Sequence, residues 1–272
     1  MTKERDVLVD LGVSTSCLYP METEKALETV ARLGIKNVEV HFSTFSELTN
    51  SYLKEIGKIL KYYGVVVYSV HPFYCMMESP MFFSEYNERR FSDGMEIYKQ
   101  YFHAAAKMGA KYLVFHGGQL SGASRCTVSD DEYIERYNIL YECGKKFGVT
   151  LLHENVKGHK CGDIEFCSKM IKSLGDKALF TFDSKQARRA GYDSMEFARA
   201  LNGHIRNIHI SDYTDECDCV LLGKGKEDFS ALKEAIGADA EAASWMIEVY
   251  NSVFDTPWEL EKAVDYLKLR LQ

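Results

Sequence analysis

Eight short apolar runs alternate with eight helical patterns along this chain of 272 residues, and that alternation limits its fold more than any other feature. The runs predict strands at 7–13, 37–41, 65–71, 112–116, 149–154, 179–183, 205–210 and 245–249. Helices are predicted near 22–33, 46–62, 88–108, 129–147, 163–174, 193–201, 228–236 and 256–269. Strict alternation is typical of a parallel sheet with crossover helices, and eight units favour a closed (β/α)8 TIM barrel over an open sheet.

The residues between these elements indicate one domain. Gly64, Gly109 and Gly148 stand between a predicted helix and the next strand, where helices commonly end on a left-handed glycine. The chain has only four prolines and no Gly/Ser/Pro-rich linker. Because α/β barrels of about this size often form a single unit, we predict one α/β domain, a TIM barrel, over residues 1–272.

Charge and cysteine usage exclude several classes of protein. With 33 Lys and Arg against 40 Asp and Glu, the formal charge is −7, which argues against nucleic acid as the main partner. The N-terminal residues do not resemble a signal peptide, and no apolar run is long enough to cross a membrane. None of the eight cysteines forms a CxxC motif, which favours reduced thiols. We therefore expect a cytoplasmic protein with no membrane partner.

Polar residues at the ends of four consecutive strands carry the functional signal. Strands five to eight end in Glu154, Asp183, His209 and Glu248. The carboxyl ends of parallel barrel strands meet at one rim, where active sites are built. Three carboxylates and an imidazole confined there are costly without a cation. Oxygen and nitrogen ligands of this kind suit Mn²⁺, Mg²⁺, Co²⁺ or Zn²⁺, so we predict one divalent metal ion.

The order and spacing of several short motifs resemble the xylose-isomerase-like barrels. The motifs are Glu154-Asn155, Asp183, His209-Ile210-Ser211-Asp212, Gly223-Lys224-Gly225 and Glu248. That superfamily contains sugar isomerases and epimerases, inosose dehydratases and apurinic-site endonucleases. The resemblance implies that Glu154, Asp183, His209 and Glu248 hold the metal. It also implies that Glu154 and Glu248 are the catalytic residues of a sugar or sugar-phosphate isomerase or epimerase, which move a proton beside a carbonyl through an enediolate.

Three positions depart from the ketose 3-epimerases of that family. Gln186, Lys160 and Asp215 stand where those enzymes carry a His, a Glu and an Arg that bind the sugar. The substrate is therefore not expected to be a simple free ketohexose. We predict that Lys185, Gln186, Lys160 and Glu39 contact a carbohydrate substrate, and that Glu39 alternatively orients a ligand histidine.

Two histidines in the N-terminal half of the chain permit a second interpretation of the site. His71 and His116 end strands three and four and match zinc ligands of the resembled endonucleases. They would bind a second metal ion, contact the substrate or serve a structural role. Cys217 and Cys219 stand where the endonucleases carry ligands of a further zinc, although Gln186 leaves that site incomplete.

The alternatives to a sugar isomerase are an inosose dehydratase-like lyase, a zinc-dependent apurinic-site endonuclease-like phosphodiesterase, and a noncatalytic sugar-binding barrel. The resemblance also implies a homo-oligomer. The sequence does not decide the sugar or the metal.

Overall fold

The apolar runs form a closed parallel barrel in the computed structural model of the chain, which describes residues 9–73, 75–84 and 87–272. The strands are β1 (Asp10–Ser14), β2 (Asn37–His41), β3 (Val66–His71), β4 (Tyr112–Phe115), β5 (Thr150–Glu154), β6 (Phe180–Asp183), β7 (Ile205–Ile210) and β8 (Ser244–Ile247). Each strand pairs in parallel with the next, and β1 pairs with β8 from Asp10 opposite Ser244 to Val13 opposite Ile247. The predicted fold class, a (β/α)8 TIM barrel, is confirmed.

Helices follow the strands and cover the outside of the barrel. They are α1 (Thr23–Arg32), α2 (Asn50–Tyr63), α3 (Glu88–Met108), α4 (Asp130–Lys146), α5 (Ile164–Leu174), α6 (Ser184–Arg189), α7 (Ser194–Ala200), α8 (Phe229–Ile236), α9 (Asp239–Ala242) and α10 (Trp258–Arg270). Gly109 ends α3 with φ +77°, a left-handed conformation in which glycine has no steric cost. The short α6 and α9 were not predicted, because four to six residues carry too little periodicity.

The boundaries differ from the prediction at the two ends of the chain. Val7 and Leu8, the start of the first predicted strand, lie outside the described residues. β8 ends at Ile247, so Glu248 follows the strand, with its backbone N–H bonded to the Ile210 carbonyl at 3.0 Å. Glu248 therefore sits where the chain leaves the sheet toward the rim.

The inside and outside of the barrel wall are packed differently. At β1, a Cβ on Gly12 would meet the Asn37 carbonyl oxygen and the Met246 sulfur, both at 2.5 Å, so only glycine fits inside. On the outside, His153 contacts the Tyr133 hydroxyl of α4 at 2.7 Å and is fully buried. The outward direction predicted for His153, beside the inward Glu154, follows from strand alternation. None of the helices in the described ranges is long and apolar enough to span a membrane.

Candidate metal centre at the carboxyl end of the barrel

Four side chains from consecutive strands converge at the rim and are called here the carboxylate cluster. Its members are Glu154, Asp183, His209 and Glu248. One ligand atom from each lies within 4.8 Å of the others, which is close enough for all four to hold one ion. The structure thus brings together the four residues that the sequence predicted as metal ligands.

Asp183 is held in place by its neighbours on both sides. Asn155, after β5, binds the Asp183 backbone twice: its amide nitrogen donates to the carbonyl at 3.0 Å and its amide oxygen accepts from the N–H at 2.6 Å. Oδ1 of Asp183 caps α6 by accepting from the Gln186 N–H at 3.0 Å. Oδ2 is therefore the oxygen that remains for a cation.

His209 is oriented by a carboxylate on its far side. Its Nε2 lies 2.9 Å from Glu39 Oε2, and its Nδ1 faces Glu248 Oε2 at 3.3 Å and Glu154 Oε1 at 3.6 Å. A buried carboxylate behind a histidine holds a proton on that nitrogen and directs the other nitrogen to a metal. The structure therefore places Glu39 where the sequence suggested that it would orient a histidine.

Charges in this cluster shift the pKa of its members in both directions. Burial alone would lower the pKa of His209, but the charges of Glu39 and Glu248 and a hydrogen bond that His209 donates to Glu154 raise it well above its usual value. In the metal-free protein Nδ1 thus carries a proton, which a bound cation would displace. Burial raises the pKa of Asp183 to about 6, with Lys185 opposing and the charges of Glu154 and Glu248 adding to the rise.

The two glutamates are held as carboxylates. Burial by itself would raise the pKa of Glu154, but the charge of His116 and hydrogen bonds from His116, His209 and His71 hold it well below its usual range. For Glu248, the charges of His209 and Lys185 outweigh burial and lower the pKa likewise. Both side chains are therefore ionised near neutral pH in the metal-free protein.

Three buried polar atoms show that the cluster fits a cation. Among the described residues, Glu154 Oε2, Asp183 Oδ2 and His209 Nδ1 are shielded from solvent and lack a well-directed hydrogen bond, although each has a charged or imidazole neighbour within 3.6 Å. Leaving such atoms without a hydrogen bond is costly, and all three belong to members of the carboxylate cluster. Two carboxylate oxygens and an imidazole nitrogen are the donor set that suits a divalent ion of the Mn²⁺, Zn²⁺ or Co²⁺ type.

A second group, called here the histidine cluster, shares Glu154 with the first. It consists of His71, His116 and Glu154. Glu154 Oε2 lies 3.0 Å from His116 Nε2 and 3.6 Å from His71 Nε2, and the two imidazole nitrogens lie 2.9 Å apart. The two oxygens of Glu154 thus face different clusters, Oε1 toward His209 and Oε2 toward the histidine pair.

The remaining predicted substrate residues lie at different distances from these clusters. Lys185 is buried, with Nζ 3.3 Å from Glu248 Oε2 and 3.5 Å from Asp183 Oδ2. Gln186 is half-buried and accepts from the Lys157 N–H at 3.2 Å. Lys160 pairs with Asp130 at 2.6 Å and lies against the ring of Phe166. Of the two lysines, only Lys185 contacts the carboxylate cluster.

Residues at and just after the end of β1 also support the site, although no pattern in the sequence marks them. Ser14 Oγ donates to Glu39 Oε1 at 3.1 Å, and Ser16 Oγ donates to Glu248 Oε1 at 3.4 Å. The buried Cys17 thiol donates to the Ile247 carbonyl at 3.3 Å and accepts from the Val249 N–H at 3.4 Å. Cys17 therefore satisfies the backbone on both sides of Glu248.

Two motifs of the β7 loop have local roles. Asp212 accepts from the backbone N–H groups of Gly223 and Gly225, each at 3.0 Å, so this aspartate organises the loop. The Cys217 thiol, which is exposed, donates to the Cys219 carbonyl at 3.1 Å. In the described part of the chain, neither cysteine belongs to a potential metal-binding group.

A parallel eight-stranded barrel with a carboxylate and histidine cluster at its carboxyl rim defines the class of protein. The family model described as "Xylose isomerase-like TIM barrel" matches residues 27–269. The chain therefore belongs to that family, and the resemblance seen in the sequence is confirmed.

Relatives and solved structures agree with this assignment. The chain is 22% identical over 271 residues to an uncharacterized protein of Mycobacterium leprae, covering 93% of each chain. It is 27% identical over 187 residues to an uncharacterized protein of Methanocaldococcus jannaschii, covering 68% of this chain and 71% of that one.

Among solved structures, a D-tagatose 3-epimerase-like protein matches with TM-score 0.80 and 19% identity over 96% of this chain and 97% of that one. A 3-keto-D-glucoside 4-epimerase from E. coli matches with TM-score 0.75 and 14% identity over 96% and 99%. At these identities the likeness shows the fold.

Proposed function

We propose that this protein is a divalent-metal-dependent isomerase or epimerase of a sugar or sugar phosphate. The observation that carries the proposal is the carboxylate cluster, in which one ligand atom from each of four side chains lies within 4.8 Å of the others and two of the four are ionised glutamates. The sugar epimerases with the same fold support the choice of substrate class. Glu154, Asp183, His209 and Glu248 would hold the ion.

Proton transfer is the chemistry that this arrangement favours. A divalent ion at the cluster would polarise substrate oxygens and stabilise the negative charge that develops when the adjacent carbon loses a proton. Glu154 and Glu248 both face His209 Nδ1, within 3.6 Å, so they border the same space. One carboxylate removes the proton beside the carbonyl and leaves an enediolate. The other glutamate first takes up a proton from solvent and then delivers it to the enediolate carbon, so that solvent hydrogen enters the product.

Surrounding residues would orient the substrate. His71 and His116 present nitrogen atoms on the Glu154 side, and Lys185 presents an ammonium group on the Glu248 side. Gln186 replaces the histidine of ketose 3-epimerases at this rim, which favours a substrate other than a free ketohexose. The protein is proposed to act as a cytoplasmic homo-oligomer.

Solvent deuterium incorporation tests the proposal directly. Metal-free protein, reloaded with Mn²⁺, Zn²⁺, Mg²⁺ or Co²⁺, is incubated in deuterium oxide with ketoses, aldoses, their phosphates and inososes. We expect NMR to detect metal-dependent deuterium exchange at a carbon beside the carbonyl of at least one sugar. A chelator should abolish this exchange. Exchange that ends in loss of water from an inosose would instead indicate the lyase.

The histidine cluster supports a second candidate function, that of a phosphodiesterase acting at abasic DNA. His71, His116 and Glu154 would then hold a second ion. This candidate predicts two or more zinc ions per chain and cleavage of an abasic duplex. Cleavage together with no exchange into any carbohydrate would overturn the isomerase proposal.

A further inference from the structure

A lysine ammonium lies inside the carboxylate cluster, beside two of the side chains that would hold the metal ion. Lys185 occupies the first turn of α6, two residues after Asp183, and only 5% of its side chain is exposed. Its Nζ lies 3.3 Å from Glu248 Oε2 and 3.5 Å from Asp183 Oδ2. A buried positive charge thus pairs with two of the four candidate metal ligands.

The oxygens that Lys185 approaches are the ones that a metal ion needs. Oδ1 of Asp183 caps α6, which leaves Oδ2 for a cation. Oε1 of Glu248 accepts from Ser16, while Oε2 lies 3.3 Å from His209 Nδ1, on the inner side of the cluster. The Lys185 ammonium and a divalent ion cannot both contact these oxygens closely, because the two positive charges repel each other strongly at short range in a buried site.

The aromatic ring of Tyr250 gives the ammonium group a further contact besides the two carboxylates. Lys185 Nζ lies 5.2 Å from the centroid of that ring, within the range of a cation–π contact. Tyr250 is 46% exposed and is held by a 2.7 Å hydrogen bond from Arg189. The partly exposed ring thus adjoins the ammonium in its present position, and it also carries the Arg189 guanidinium 5.5 Å from its centroid.

We propose that Lys185 is a tethered counter-cation that neutralises Asp183 and Glu248 in the metal-free protein and gives up these oxygens when a divalent ion binds. The inference rests on the proposed function, since it concerns the affinity of the same site for its ion. It follows that Lys185 stabilises the metal-free protein and weakens metal binding. In the metal-bound protein the ammonium would keep its contact with the Tyr250 ring and lose its contacts with the two carboxylates.

Replacing the lysine separates these two effects. Lys185→Met keeps the length of the side chain and removes its charge. We expect the metal-free variant to melt at a lower temperature than the wild type, because Asp183 and Glu248 lose their counter-charge. We also expect it to bind Mn²⁺ about tenfold more tightly or better in a calorimetric titration, because the competing charge is gone.

Three further variants keep the test decisive. Lys185→Gln is neutral and able to donate hydrogen bonds to both carboxylates, so it repeats the measurement if the methionine variant does not fold. Lys185→Arg keeps the charge and should bind Mn²⁺ close to wild-type affinity. Lys160→Met removes a lysine that pairs with Asp130 outside the cluster, and it should leave Mn²⁺ affinity unchanged.

The outcomes distinguish this inference from the proposed function. Tighter Mn²⁺ binding by both neutral variants, with the arginine variant unchanged, supports the exchange of cations. Equal or weaker binding by the neutral variants overturns it while leaving a metal-dependent enzyme in place. Absence of Mn²⁺ binding by the wild type and by all variants overturns both.

Discussion

The carboxylate cluster and the histidine cluster share Glu154 but are supported in different ways. His209 is backed by Glu39 inside the barrel, and Glu39 is held in turn by Ser69 at 2.7 Å and Asn207 at 3.1 Å. This network is fully buried and anchored on strands β2, β3 and β7. Strands hold side chains more precisely than loops do, so the carboxylate cluster is preorganised.

The histidine cluster is supported by the loops that follow β3 and β4. His71 Nδ1 contacts the carbonyl of its neighbour Pro72 at 3.0 Å, and 18% of the His116 side chain is exposed. Burial opposes a low pKa for the nearby Cys75 thiol, but the charge of His116 and its hydrogen bond lower that pKa to about 7. On this contrast we propose that the carboxylate cluster binds the ion and that the histidines contact the substrate.

The largest effect is expected at the residue that both clusters share. Glu154→Gln keeps the shape of the side chain but removes a charge and a proton acceptor. Deuterium exchange into the substrate should fall by about 10³-fold, within the range of general base catalysis. Circular dichroism and thermal melting should show a folded barrel. A variant that retains more than a tenth of wild-type exchange would show that Glu154 is no proton-transfer residue.

A smaller effect is expected behind His209. Glu39→Gln should reduce Mn²⁺ affinity by about 10- to 100-fold. In the wild type the carboxylate of Glu39 accepts hydrogen bonds from donors around it, whereas the amide nitrogen of glutamine would direct its own N–H groups at these donors. Glu47→Gln is the matched control, since Glu47 is also buried but accepts from the Ser43 N–H, away from the cluster. Equal Mn²⁺ affinities of the two variants would remove the case for Glu39 as a positioning residue.

The pH dependence of metal binding tests the carboxylate cluster further. Burial raises the pKa of Asp183 to about 6 in the metal-free protein, so below that pH the ion must displace a proton. Because His209 also gives up a proton when the ion binds, apparent Mn²⁺ affinity should fall more steeply below about pH 6 than above it, by about a further tenfold per pH unit. Equal slopes on the two sides of pH 6 would contradict this role of Asp183. The effect on the stability of the metal-free protein has the opposite direction. Because the pKa of Asp183 is raised on folding, its protonated form adds to the free energy of unfolding at low pH, and this contribution is lost as the pH rises through about 6.

The smallest effect is expected in the histidine cluster. His116→Gln should raise the KM for the substrate by about tenfold, the effect of one lost hydrogen bond to a polar ligand, and leave the bound metal unchanged. His103→Gln is a suitable control because His103 is half-buried on α3 and contacts Asn50 of α2, on the outside of the barrel. Loss of a metal ion from the His116 variant would instead assign a second ion to this cluster.

Much of this architecture could be predicted because it depends on periodic features. The alternation of strand and helix defines the barrel, and strand ends place Glu154, Asp183 and His209 at one rim. The roles of Ser14, Ser16 and Cys17 could not be predicted. Cys17 contacts residues 230 and 232 positions away, and the residue type alone does not reveal such contacts. The contact between Lys185 and Glu248 could not be predicted for the same reason, since Glu248 lies 63 residues further along the chain.

The central claim, that the carboxylate cluster holds one divalent ion, is tested most directly by counting bound Mn²⁺ in equilibrium dialysis. The wild type is expected to bind one ion per chain at this site, and His71→Gln is expected to keep it. Asp183→Asn is expected to lose it, although asparagine still caps α6 and preserves the fold. A wild type that binds no Mn²⁺, or an Asp183→Asn variant that binds it as tightly as the wild type, would contradict the account.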